Sequence, residues 1–266
     1  MSEAAVEIPV PRHPAAWNRK ALIAASRRLA ARFGEHPAVV LDPFAGVGRV
    51  HELRRFGWQT VGGELEPAWA AAHPDTIVAD ALAFPADDGA FDAVVTSPTW
   101  GSRMADHHDA KERCTPCGGT GTVTVQCVDL LDRVDLGDAE AVCEKCGGSG
   151  VRDHVRNTYR HALGSPLTDG SSAAMNWGND YRRFHRDWVV EARRLVKPGG
   201  LVIVNMSNHI RKGVEIDVIG WWLVALHAEG LLIRAVDSVP AGKLRHGANH
   251  ELRVDGEVNI VYQIPA

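Results

Sequence analysis

Three groups of residues in this chain have types and spacings suited to chemistry. The apolar run Val39-Val40-Leu41 leads directly into Asp42-Pro43-Phe44-Ala45-Gly46-Val47-Gly48, a glycine-rich turn that lets the backbone bend sharply and approach a ligand closely. Two further apolar runs end in acids, at Glu64 and at Asp80-Ala81, and a fourth ends in Thr96-Ser97-Pro98-Thr99-Trp100-Gly101. The third group is a duplicated unit, Cys114-Thr115-Pro116-Cys117-Gly118-Gly119-Thr120-Gly121 and Cys143-Glu144-Lys145-Cys146-Gly147-Gly148-Ser149-Gly150.

Each group implies a different chemistry. If the four apolar runs are strands of one open parallel sheet, their carboxyl ends face a common crevice. There Glu64 can accept two hydrogen bonds from a ribose diol, Asp80 can meet an adenine amino group, and Asp42 can meet an ammonium directly or through water. The Ser97 hydroxyl and the Pro98 carbonyl can accept from an amine, and Trp100 offers a face for stacking. Taken alone, the glycine-rich turn fits a site for NAD or a nucleoside phosphate equally well. In the duplicated unit Cys114, Cys117, Cys143 and Cys146 supply four thiolates suited to tetrahedral zinc, with glycines that turn amides toward sulfur.

The elements that must hold these residues are legible in the periodicity. Leu22, Ala25, Leu29 and Phe33 mark a helix over Asn18 to Phe33, stopped by Gly34. Strands are expected at 38–41, 60–63, 76–78 and 91–96, with a helix at 49–56 between the first two. Tyr181, Phe184, Trp188, Ala192 and Leu195 form an apolar helical stripe ended by Lys197-Pro198-Gly199-Gly200, and Leu201-Val202-Ile203-Val204 follows as a strand. A helix over 215–228 and strands at 231–239 and 258–264 complete the pattern. Strands alternating with helix-length spacers predict a doubly wound α/β fold. Between about Gly101 and Asn179 the pattern breaks, and nothing there reads as a core strand. The domain expectation is therefore 1–104 with 176–266, carrying an insertion at 105–175 that includes a zinc ribbon at about 114–150.

Hydrophobic residues make up 45% and charged residues 23% of the 266 positions, and the formal net charge is −4. That excludes a global basic excess, so nucleic-acid binding would need a local basic face; Arg152–His161 and Arg182–Arg194 are the candidates, a solvated helix face being the bland reading of the second. The first residues lack a signal-peptide pattern, and no apolar run reaches the roughly 18 residues of a membrane helix. The expectation is a cytoplasmic protein, in a bacterial or phage-infected cell, that does not contact membrane. There thiols stay reduced, which disfavours disulfides between the cysteine pairs; Cys127 reads as a bystander. Asp106, His107 and His108 read as a polar loop, while Ser207-Asn208-His209 and Arg245, His246 and Asn249 can line a substrate pocket or be ordinary loops.

The wording of these motifs resembles a known family. Asp42-Pro43-Phe44-Ala45-Gly46-x-Gly48 resembles motif I of the S-adenosylmethionine-dependent amino methyltransferases of nucleic acids, and Glu64-x-x-Pro67 resembles their second motif. His13-Pro14-Ala15 with Leu22-Ile23 is similar to the additional cofactor segment such enzymes place before motif I. Ser97-Pro98-Thr99-Trp100 resembles their catalytic Asp/Asn/Ser-Pro-Pro-Tyr/Phe/Trp motif, departing from it at Thr99, where the second proline would stand. The cysteine units resemble the zinc repeats of DnaJ-type co-chaperones over residues 114–150 only.

The resemblance implies a Rossmann-like class I methyltransferase fold, a mostly parallel seven-stranded sheet with helices on both faces. It implies S-adenosylmethionine as cofactor, held by His13, Pro14, Asp42, Pro43, Phe44, Gly46, Gly48, Glu64, Asp80 and Ala81, with Ser97, Pro98, Thr99 and Trp100 as catalytic residues and a structural zinc on the four cysteines. The implied reaction is methylation of an exocyclic amine in DNA, with Ser97 leaning toward cytosine N4 over adenine N6. RNA base-amine methylation is the first alternative, and a weakly catalytic zinc-containing nucleic-acid-binding protein is the second. Pro116-Cys117 does not fit C5-cytosine methylation, because it belongs to a paired-cysteine unit away from the fourth strand end.

Overall fold

The computed structural model describes residues 12–15, 17–34, 36–105, 111–128, 135–153, 158–240, 254 and 256–266. Helix α1 (Arg19–Phe33) begins where the Asn18 side chain accepts the Lys20 amide and ends at Gly34, whose φ of +66° few other residues adopt. It leads to β1 (Val39–Asp42), a single eight-residue 3₁₀ segment (Arg49–Phe56) and β2 (Gln59–Glu64). The 3₁₀ segment stands where an α-helix is expected. It is short and bounded by Gly48 and Gly57, both left-handed, and tighter bonding satisfies its terminal groups.

Next come α2 (Pro67–Ala70), β3 (Thr76–Val78) and β4 (Phe91–Thr96), then β5 (Lys111–Arg113), β6 (Thr122–Val128), β7 (Asp135–Val142) and β8 (Val151–Asp153). The chain continues through α3 (Tyr159–Leu163), α4 (Asn179–Leu195), β9 (Val196–Met206), β10 (His209–Arg211), β11 (Val214–Ile216), α5 (Val218–Ala228), β12 (Leu232–Val239) and β13 (Glu257–Gln263).

Seven strands form one sheet in the order β12-β13-β9-β4-β1-β2-β3. The ladders from β9 to β3 are parallel, and β13 runs antiparallel to both of its neighbours. Side chains alternate across this sheet, so each strand feeds two cores. Leu41, Val94, Val202, Val204, Ile260 and Tyr262 pack with Trp188 and Val189 of α4 and Trp222 and Leu226 of α5. Val40, Ala93, Val95, Leu201, Ile203 and Val261 pack with Ala21, Leu22, Ala25 and Leu29 of α1 on the other face. Burial on both faces is why these strands read as unbroken apolar runs. The architecture is Rossmann-like, a mostly parallel seven-stranded sheet with helices on both faces, as expected.

The chain divides into two compact units, one holding 1–106 and 158–266 and the other His107–Asn157. Residues 158–175, grouped with the insertion on sequence grounds, thus belong to the larger unit. There Tyr159 and Ala173 cluster with Trp69 of α2, and the Glu66 carboxylate accepts the Thr168 amide (2.9 Å) and hydroxyl (3.0 Å). The smaller unit contains two antiparallel pairs, β5 with β8 and β6 with β7. The β6–β7 hairpin was not foreseen, although Thr122-Val123-Thr124-Val125 alternates as a strand should. No helix of the described residues is long and apolar enough to cross a membrane.

Candidate active site and cysteine centre

A single cavity at the carboxyl edge of the sheet gathers most of the residues singled out from sequence. His13, Pro43, Phe44, Gly46, Glu64, Asp80, Ala81, Ser97, Pro98, Thr99 and Trp100 all line it. Pro14, Asp42 and Gly48 do not.

Gly46 carries the close approach expected of motif I. With φ at +54°, a Cβ placed on it would lie 3.1 Å from His13 Nε2, so only glycine leaves this wall open. The His13 ring packs edge-on against Trp69, with centroids 4.5 Å apart, and its Nδ1 donates to the Ala15 carbonyl. Burial lowers the pKa of His13, so the ring is neutral with Nε2 as the bare nitrogen.

The three strand-end acids have separate environments. Asp42 is fully buried; its Oδ1 accepts the Thr96 hydroxyl at 2.6 Å and the Phe44 amide at 3.0 Å. Burial pushes its carboxyl up to about 7, against the pull of those two donors. The Trp17 indole N–H also faces this carboxyl and pulls its pKa down, although neither it nor Asp42 Oδ2 reaches ordinary hydrogen-bond geometry with any described residue. Through Oδ1, Asp42 therefore braces the turn from below, outside the cavity lining.

Glu64 accepts the Gly46 amide on Oε2 and the Glu66 amide on Oε1, both at 2.9 Å, and burial raises its pKa. Each oxygen keeps a lone pair for a diol. Asp80 is exposed on the cavity wall, and its Oδ1 accepts the Leu82 amide at 2.9 Å.

Ser97 donates its hydroxyl to Asn205 Oδ1 at 3.3 Å, which leaves the oxygen lone pairs to accept from an amine. Thr99, where the resembled motif has proline, is held by two other means. Its hydroxyl donates to the Ser172 carbonyl at 3.1 Å, and its carbonyl accepts the Tyr181 hydroxyl at 2.8 Å. Those bonds constrain the backbone that a second proline would have stiffened.

Several cavity residues escaped the sequence reading: Trp17, Trp69, Tyr159, Ser171, Ser172, Asn205 and Glu257. Asn205 carried a signal, a polar residue inside the run Leu201–Met206. Ser207, Asn208 and His209 do not line the cavity; Ser207 donates to the Asn208 and Gly256 carbonyls, and Asn208 Oδ1 accepts the Ile219 amide. Asp106, His107, His108, Arg245, His246 and Asn249 lie outside the described residues, as do 154–157 and the side chains of Cys127 and Arg152. In the second basic stretch, Arg183 pairs with Asp180, and Arg194 pairs with Glu191 and Asp88.

In the smaller unit, Cys114, Cys117, Cys143 and Cys146 bring their sulfurs within 4.8 Å of one another. Two edges measure 3.8 Å (Cys114–Cys143) and 3.7 Å (Cys117–Cys146). A disulfide needs about 2.0 Å, whereas zinc–sulfur bonds of about 2.3 Å in a tetrahedron place sulfurs about 3.8 Å apart. The donor set and spacing therefore fit zinc. Burial pushes the Cys114 thiol up to about 12; burial opposes a thiolate at Cys117 too, but the Gly121 and Gly119 amides and the adjacent thiols bring it down to about 6. Within the smaller unit the two cysteine repeats interlock through backbone, with the Cys114 amide donating to the Gly150 carbonyl and the Cys143 amide to the Gly121 carbonyl, each at 2.9 Å. A Cβ on Gly121 would lie 2.1 Å from the Gly148 carbonyl oxygen, which explains the invariance of glycine between the two copies of the unit.

No family model matches this chain, and no curated protein does. Solved structures do resemble it in fold. They include an S-adenosylmethionine-dependent methyltransferase from Methanosarcina mazei (10% identity, 90% of this chain and 97% of that chain, TM-score 0.48). A 1,6-didemethyltoxoflavin-N1-methyltransferase from Burkholderia thailandensis with bound S-adenosylhomocysteine is similar at 13% identity over 92% of this chain and 79% of that chain, with a TM-score of 0.42. A glycopeptide N-methyltransferase matches at 14% identity over 94% of this chain and 92% of that one, TM-score 0.44. These are likenesses of fold among proteins with different substrates.

Proposed function

We propose that the protein transfers a methyl group from S-adenosylmethionine to an exocyclic amine of a nucleic-acid base, with DNA favoured over RNA and cytosine N4 over adenine N6. The observation that carries this reading is the single cavity joining the motif I turn, Glu64 and Asp80 to Ser97-Pro98-Thr99-Trp100. Bound there, S-adenosylmethionine supplies an electrophilic methyl on its sulfonium. Glu64 holds a ribose diol, Asp80 and Ala81 the adenine edge, and Gly46 with His13, Pro43 and Phe44 the intervening wall; Pro14 and Gly48 support this segment without lining it.

A base amine is a poor nucleophile because its lone pair is delocalised into the ring. Ser97 Oγ and the Pro98 carbonyl accept its two N–H bonds, which favours a pyramidal nitrogen aimed at the methyl carbon. Trp100 stacks on a base turned out of its helix. The catalytic gain lies in positioning and fixed dipoles. The four cysteines hold a structural zinc. The hydrogen bonds at Thr99 hold this segment in place where the resembled motif has its second proline, which supports its reading as the catalytic segment.

Incubation with tritiated S-adenosylmethionine and either unmodified bacterial genomic DNA or total tRNA tests the reaction. Label is expected in DNA, in an amino-methylated nucleoside. Label in tRNA alone would move the substrate to RNA, and label in neither would end the base-amine reading. Ser97→Ala is expected to lower kcat about 100-fold, the scale of a lost, well-placed polar group, with cofactor affinity unchanged; full turnover removes Ser97 from its role. Asp80→Ala is expected to weaken S-adenosylmethionine binding about tenfold, one hydrogen bond of about 1.4 kcal/mol. Calorimetry giving the wild-type affinity would take the adenine away from Asp80.

A further inference from the structure

On the face of the sheet that packs against α1, three neighbouring strands change from apolar to polar as they reach the carboxyl edge. Val95 is followed two residues on by Ser97 and Ile203 by Asn205, while Val261 is preceded by Asn259 and then Glu257. The register pairs Asn205 with Asn259, and Val258 with Met206, so Glu257 stands one residue beyond, at the cavity rim. It lines the cavity with Ser97 and Asn205, and its Oε2 is buried without a hydrogen-bond partner. Burial raises the pKa of this carboxyl, against the pull of the nearby Asn205 and Asn18 amides.

Sheet order separates this acid from those assigned to the cofactor. Glu64 and Asp80 end β2 and lie just past β3, on one side of β4; Glu257 begins β13, beyond β9 on the other side. Ser97 cannot pass a proton onward, because its hydroxyl points at an amide oxygen, and the Asn205 Nδ2 is committed to Asn259 Oδ1 (3.1 Å) and the Val258 carbonyl (3.3 Å). Among the described lining residues, the other titratable groups are His13, Arg49, Glu64, Asp80 and Tyr159, with Asp42 beneath the turn. None of these lies on the β9–β13 side.

We propose that Glu257 is a catalytic residue that accepts the proton released by the amine being methylated, an inference that rests on the base-amine reaction proposed above. The nitrogen lone pair forms the N–CH3 bond while the methyl–sulfur bond breaks with its electrons remaining on sulfur. As the nitrogen becomes tetrahedral, the N–H that Ser97 Oγ had accepted turns to a Glu257 oxygen and gives up its proton there. The products are a neutral methylated amine, a neutral thioether and a protonated carboxyl, which returns its proton to solvent.

The test compares wild type, Glu257→Gln and Glu257→Asp in the tritium assay from pH 5 to 9, with S-adenosylmethionine affinity by calorimetry and carboxyl titration by infrared difference between wild type and the Gln variant. Glu257→Gln is expected to lower kcat about 100-fold, the scale of general-base catalysis, and to flatten the acidic limb of the pH profile. Cofactor affinity and KM should stay within about twofold, Glu257→Asp should recover part of the rate, and the infrared signal should titrate above the ordinary carboxylate range. Turnover by Glu257→Gln within about threefold of wild type at every pH overturns the assignment, as does a loss of cofactor affinity, which would place Glu257 at the cofactor's methionine end. A wild-type protein that binds S-adenosylmethionine yet labels neither DNA nor tRNA ends the base-amine reading itself, and the role of Glu257 with it.

Discussion

Stripping the zinc proposed for the four cysteines with a strong chelator is expected to unfold the smaller unit and to leave the seven-stranded sheet intact. The reason lies in what each unit buries. The larger one has two apolar cores, one on each face of its sheet. In the smaller one, among the described residues, the buried cluster consists of Cys114, Cys117 and Cys143, with Val123 and Cys146 packed against it. The β6–β7 hairpin contributes little, since Val125 and Val142 are exposed. A unit of this size without an apolar core needs a cross-link or a metal. Structural zinc supplies on the order of 10 kcal/mol to such folds, and that binding energy is folding energy.

Limited proteolysis should therefore cut the chelated protein within 107–157 and spare the rest, with far-ultraviolet dichroism losing little helix signal. Cys114→Ser should reproduce the effect and drop the metal content, measured by elemental analysis, from one equivalent toward none. A chelated protein that resists protease as well as the metal-loaded one would show that the glycine-locked backbone suffices alone.

The site was legible in the sequence where strand direction favoured it. In β1, β2 and β4, and just past β3, the acid or the Ser-Pro pair comes at the end of an apolar run, because parallel strands deliver their site residues at their carboxyl ends. Glu257 was not legible for the reverse reason. Antiparallel β13 enters the sheet at the cavity rim, so its site residue precedes the apolar run and looks like part of a turn. Tyr159, Ser171 and Ser172 come from a connection with little periodicity, and they are revealed by the packing of Tyr159 on Trp69, the bond from Thr99 to the Ser172 carbonyl and the place of all three on the cavity wall. Asp42 shows the opposite limit. Its identity and place were evident, but sequence could not show that its carboxylate turns under the loop to Thr96. Helix and strand identities were legible wherever one face is buried. The hairpin β6–β7, solvated over much of its length, offered no such contrast.

Replacing His185 with leucine is expected to stabilise the protein, and to do so more as the pH falls. The ring is fully buried in α4 among Phe44, Tyr181, Phe184, Trp188 and Trp222, and neither nitrogen has a hydrogen-bond partner among the described residues. A buried unpaired polar group costs about 1–3 kcal/mol, so leucine, apolar and of similar size, should gain at least about 1 kcal/mol at pH 7. Burial also drives the His185 pKa down to about 3. Its folded pKa therefore lies below the ordinary 6.5, and the unfolded chain binds more protons between those values. Wild-type stability from this residue is present above pH 6.5 and is lost as the pH falls toward 3. At pH 5 the loss is about 2 kcal/mol, 1.5 pH units below the unfolded value at about 1.4 kcal/mol each.

His51, brought down to about 4 mainly by burial and then by His73 and Arg54, and His209, brought down to about 4 mainly by burial and then by Arg211, act in the same direction. Asp42, with its carboxyl raised to about 7, opposes them, gaining stability as the pH falls through that value. The contrast between His185→Leu and wild type cancels those shared contributions. Urea unfolding at pH 7 and pH 5 should show the gap widening by about 2 kcal/mol. A gap that stays constant with pH would mean that His185 protonates in the folded state, and that its cage of rings admits a charge.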